Sequence, residues 1–165
     1  MAFVPEHIIE DCALQIGGSP EKAEALLNTM GAAQPALLPF IAGEESESAF
    51  TQPEREYLIY LLLVIWKAWD TVHGKQPVIS PEALSEAEEK NWELLEGTPA
   101  KRFRERLDVF FAHSAQEDLL AFLEDMLSEP EDEDAEDAEL AISREGREPM
   151  FVLLKSVVDC LGGSL

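Results

Sequence analysis

Residues 57–69 read YLIYLLLVIWKAW, and Lys67 is the one charge among these thirteen positions. A helix built from this stretch is apolar on every side, has no face to offer water, and so belongs inside something. A bilayer is not the answer, because spanning one takes about 20 consecutive apolar residues. Burial by the rest of the chain is the alternative. The flanking segments should then be amphipathic helices, and the expected fold is all-α: an irregular bundle of about seven or eight helices around a buried central apolar helix.

Helix-start signals on either side agree with this. Ser19-Pro20, Ser80-Pro81 and Thr98-Pro99 each put a capping hydroxyl ahead of a proline at the first helical position. Thr51 with Glu54, and Ser114 with Glu117, have capping-box spacing. No stretch alternates convincingly between apolar and polar, and Val78-Ile79 is the one β-branched pair in a loop context. The helices expected are Pro5 to Ile16, Pro20 to Met30 (stopped by Gly31), a short Pro35 to Ile41, and the central Pro53 to His73, ended by Gly74. Pro81 to Glu96, mostly polar, should lie outside. Pro99 to Ala112, Ala115 to Leu127 and an apolar Pro149 to Leu161 complete the set. All of this fits one domain over 1–165, interrupted by a mobile acidic loop at about 129–147. No repeat of fixed period is visible.

Twelve Lys and Arg against thirty-four Asp and Glu leave a net charge of −22. That balance argues against nucleic acid or an anionic membrane surface, both of which recruit basic patches, and favours a basic protein partner. The N-terminus, MAFVPEHIIEDC, has acids where a secretory leader carries bases. Cys12 and Cys160 both sit among apolar residues, as free thiols of a cytoplasmic protein do. If the two apolar helices are not fully covered within one chain, a homodimer would cover them; otherwise the protein is a monomer.

Candidate chemistry is sparse. His7 stands with Glu10 and Asp11, Asp70 with His73, and His113 with Glu117, and imidazole and carboxylate at helical spacing can share a metal. The stronger His-Glu-x-x-His and Glu-x-x-His patterns are missing, and so many acids produce such pairs by chance. From Glu129 to Glu139 the chain reads EPEDEDAEDAE, eight acids in eleven positions. It fails as a calcium loop, because Asp137 stands where the glycine is needed and Ser143 where the bidentate acid is needed. Its ordinary role is a solvated loop; its functional one is docking of a basic partner through Glu131, Asp132, Glu133, Asp134, Glu136 and Asp137.

Lys101, Arg102, Arg104 and Arg106 hold a third of the positive charge. Pairs at i, i+4 (Lys101 with Glu105, Arg104 with Asp108) would absorb two of them. Arg102 and Arg106 are left for an anion, or as an internal latch against the acidic loop. Tyr57, Tyr60, Trp66, Trp69 and Trp92 read as core, with their polar tips reaching partners. There is no nucleophile elbow, paired Cys-x-x-Cys, phosphate loop or dinucleotide fingerprint, and no cofactor is expected. The sequence therefore points to a non-enzymatic interaction, adaptor or regulatory protein that neutralises or docks a basic partner. The runner-up is a helical-bundle enzyme, metal-dependent or binding a small molecule, that uses the histidines and carboxylates.

Overall fold

A computed structural model describes residues 3–43, 48–112, 114–128 and 142–162. These residues form eight helices and no strand: α1 (Glu6–Gly17), α2 (Pro20–Ala33), α3 (Leu37–Ala42), α4 (Gln52–His73), α5 (Pro81–Glu96), α6 (Phe103–Phe111), α7 (Glu117–Leu127) and α8 (Arg144–Leu161). The fold is the all-α bundle that residues 57–69 demand.

Thr51 starts α4 with a reciprocal capping box: its hydroxyl accepts from Glu54 N at 3.3 Å while its own N–H donates to Glu54 Oε1 at 2.9 Å. Gly74 ends the helix at φ 73°, a left-handed conformation that a side chain would strain. Between these limits Leu58, Leu61 to Trp66, Ala68 and Trp69 are buried. α1, α2, α3 and α8 all pack on α4. The tyrosines sit at the edges of the buried face and use their hydroxyls as ties: Tyr57 donates to Met126 O at 3.0 Å and Tyr60 to Ala13 O at 3.2 Å. Burial pushes both phenols above their ordinary range, so each stays a donor.

The interior holds a second rod. In α8 the residues from Met150 to Leu154, with Val157, Val158 and Leu161, are buried, and this helix packs on α5, α7, α4 and α3. Phe151 anchors α6 through two rings, stacked on Phe110 at 5.5 Å and edge-on to Phe103 at 6.4 Å. The start of α8 corrects the sequence reading. It begins at Arg144 and not at Pro149, which lies inside the helix, so residues 144–147 belong to a helix and not to the expected mobile loop. The rest of that loop, 129–141, lies outside the described residues.

Ser143 and Glu54 account for the early start. Ser143 Oγ accepts from Gly146 N at 3.0 Å, capping α8, while Ser143 N and Oγ both donate to Glu54 Oε2 at 3.1 Å. Glu54 is 2% exposed and holds the first turns of α4 and α8 together. Burial alone would raise its carboxyl, but the hydrogen bonds from Thr51 and Ser143 prevail and hold it below the ordinary carboxylate range. Gly146 leaves room for this contact, since a Cβ there would run into the Glu54 carboxylate.

The passage from α5 to α6 also departs from expectation. Thr98-Pro99 does not open a helix: the Thr98 hydroxyl donates back to Leu94 O at 2.9 Å, and the helix begins four residues later at Phe103. Arg106 needs the intervening backbone. Its guanidinium donates to Leu95 O at 3.3 Å, Thr98 O at 3.1 Å and Ala100 O at 2.9 Å, and it pairs with Glu148 on α8. The expected Ser114–Glu117 box gives way to a turn in which Ser114 Oγ accepts from Gln116 N, and α7 starts at Glu117. Gln116 instead receives Val4 N at 3.0 Å, and Asp118 receives Glu6 N at 2.9 Å, pinning the start of α1 to α7. Cys12 and Cys160 are free thiols. No described helix is long and apolar enough to cross a membrane.

Candidate interaction surface

Ser80 caps α5 by accepting from Ala83 N at 3.1 Å, with Pro81 at the first helical position. Leu84, Ala87, Asn91 and Leu95 form the buried face against α8. Asn91, 1% exposed, donates to Ser156 Oγ and to Asp159 Oδ2, both at 3.1 Å, and Asp159 also holds the nearly buried Lys155 at 2.9 Å. A buried amide with defined partners fixes the rotation of α5 about its axis more tightly than apolar contact alone.

That rotation presents a row of acids to solvent. Glu82, Glu86, Glu89, Glu93 and Glu96, spaced four, three, four and three residues apart, are all exposed and lie opposite the buried face. At 1.5 Å rise per residue the row is about 21 Å long. Local energetics are mixed: Glu82 in the first turn complements the helix dipole and exposed Lys90 stands four residues after Glu86, while the remaining terms are unfavourable. Like charges at i, i+4 each cost a few tenths of a kcal/mol, and acids in a last turn without bases oppose the helix dipole. The polar composition of residues 81–96 places α5 outside, and the four-three spacing of its glutamates is the sequence signal for this row.

An apolar groove opens beside the start of α5. Gln34, 2% exposed at the end of α2, accepts from Ile79 N at 2.8 Å and donates to Pro77 O at 2.9 Å. This clamp fixes the extended segment 77–79 so that Ile79 points inward, at 7% exposure, and Val78 outward, at 68%. Val78, Phe40, Pro39, Pro81 and Ser85 are among the walls of a groove of about 650 Å³.

Among the described residues the histidine and carboxylate candidates do not converge. His7, Glu10 and Asp11 are exposed on α1, where Glu10 pushes the Glu6 carboxyl up. Asp70 and His73 lie half-buried at the end of α4, with the His73 ring stacked on Trp69 at 4.2 Å. His73 Nε2 and Trp69 Nε1 are buried without a hydrogen-bond partner among the described residues. Glu117 opens α7, and His113 lies outside the described residues. Among the described residues no three His, Cys, Asp or Glu side chains come together as a metal site would require.

The basic cluster is divided in its roles. Arg106 ties backbone together, and Arg104 pairs across to Glu124 at 2.9 Å and Asp125 at 3.2 Å, replacing the expected Asp108. Lys101 and Arg102 are exposed on the wall of a groove of about 810 Å³ that Glu105 and Glu148 also line. The acids proposed to face them, Glu131, Asp132, Glu133, Asp134, Glu136 and Asp137, lie outside the described residues. No protein-family model matches this chain, and neither the curated proteins nor the solved structures yielded a match.

Proposed function

We propose that this chain is a non-catalytic interaction module that docks a basic segment of a partner protein along α5. The observation that carries the reading is the exposed row Glu82, Glu86, Glu89, Glu93 and Glu96, which lies on one face of α5 opposite its buried side. Opposite charge over about 21 Å speeds encounter and makes binding sensitive to salt. The acids of 131–137 would add to the attraction at long range. Free thiols suit a cytoplasmic setting. The two interior rods are covered within one chain, which suits a monomer.

A chain with a net charge of −22 attracts any polycation, so the test has to separate place from total charge. The probe is a synthetic lysine-rich helix titrated calorimetrically at low and at physiological salt. Glu86→Lys with Glu93→Lys should weaken binding about tenfold or more, roughly 1.4 kcal/mol. Glu10→Lys with Asp11→Lys, an equal change in net charge on exposed α1 positions, should weaken it far less. Equal losses from the two pairs would mean that net charge alone is at work, and the reading would fail.

A further inference from the structure

The groove at Val78 and the glutamate row are parts of one continuous surface. Ser85, in the groove wall, is three residues from Glu82 and four from Glu89, which makes it a direct neighbour of both on the helix surface. Both parts are also held rigid: Gln34 clamps the segment carrying Val78, and Asn91 sets the rotation of α5. Scattered exposed apolar residues are ordinary on protein surfaces. A β-branched side chain at 68% exposure, on a clamped segment that lines a groove together with Phe40 and Pro39, is a preformed apolar seat. Preformed seats bind well because little is left to order on binding.

We propose that the groove takes an apolar anchor residue of the same basic partner segment that lies along α5. The partner is thereby specified as an amphipathic basic helix, with lysines or arginines at four-three spacing and a leucine-sized side chain one turn beyond the charged run. This rests on the docking function proposed above and adds to it a source of specificity that charge lacks. The glutamates draw in the basic helix, and the groove selects among basic helices.

The test uses the full chain and two synthetic helices with the same lysines, one ending in leucine at both termini and the other in serine, so that either orientation can place an anchor. The leucine helix should bind about tenfold more tightly at equal salt dependence. Val78→Asn, neutral and at an exposed position, should remove most of that preference and leave the serine helix's affinity unchanged. Val78→Leu should keep the preference, and thermal melts of both variants should match the parent. If the two helices bind equally while Glu86→Lys with Glu93→Lys still weakens both, the groove is not a seat and this inference is overturned, with α5 docking intact. If neither helix responds to the change on α5, the docking function falls and the inference falls with it.

Discussion

Removing one charge at Glu54 should loosen both ends of the fold where α4 and α8 begin. The carboxylate takes three hydrogen bonds, from Thr51 N, Ser143 N and Ser143 Oγ, at 2% exposure. Bonds to an ionised group contribute about 1.5–3 kcal/mol each, but they share one carboxylate and do not add. Glu54→Ala should therefore cost about 3–4 kcal/mol, loss of packing included. Glu54→Gln keeps the shape but turns one oxygen into a donor, which must then face either Thr51 N–H or the Ser143 donors, for a cost of about 2 kcal/mol.

The pH dependence separates this account from a packing effect. Glu54's folded pKa lies below the ordinary carboxylate value of 4.5, so its stabilisation is fully present above that value and is lost as pH falls through the folded pKa. The absolute stability of so acidic a chain also changes in this range, because protonation relieves repulsion. The difference between the parent and Glu54→Gln cancels that background. Measured by urea unfolding, the difference should be constant near neutrality, begin to shrink as pH approaches 4.5, and keep shrinking below it. A difference near zero at neutral pH, or one that does not shrink in acid, would refute the reasoning.

The same contact makes Gly146 sensitive. Gly146→Ala should destabilise by about 2 kcal/mol in the parent, by displacing the Glu54 carboxylate, and by clearly less in a Glu54→Ala background, where Ser143 Oγ at 3.0 Å is the close neighbour that remains. Both are read from urea midpoints. Arg106→Lys keeps the charge but not the fork that reaches Leu95, Thr98, Ala100 and Glu148; a loss of about 2 kcal/mol is expected, and Arg106→Lys as stable as the parent would contradict that geometry. Burial, with Asp159 and Glu86 nearby, pushes the Cys160 thiol from 9.0 up to about 11, which is about a hundredfold less thiolate at neutral pH. A disulfide reagent at pH 7.5 should react with it about a hundredfold faster in denaturant than in the native chain.

The apolar character of 57–69 and 150–161 was legible because it depends on residue type alone. So were the caps at Ser19, Thr51 and Ser80, where the partners lie within four residues in sequence. What stayed hidden was polar and long-range. Glu54 looks like an ordinary capping-box acid until Ser143, 89 positions away, is found on its other oxygen. Residues 143–149, SREGREP, look like loop because their helix is paid for by that distant carboxylate and not by an apolar stripe. Thr98-Pro99 misled because its local signal was genuine, but Arg106 draws the carbonyls of Thr98 and Ala100 out of any helix. The candidate surface was half visible: the glutamate spacing is in the sequence, whereas the groove needs Gln34 and residues 77–79 side by side.

Docking through an acidic surface requires that α4 be enclosed by its own chain, which leaves acidic and polar faces to meet a partner. Native-state hydrogen exchange of the amides from Leu58 to Trp69 tests this most directly. If α4 is interior, these amides exchange only through global unfolding, with the free energy and denaturant dependence of the urea transition, and at the same rate when the protein is diluted tenfold. Exchange well ahead of global unfolding, or protection that fades on dilution, would mean that this helix is covered by something other than the chain that carries it.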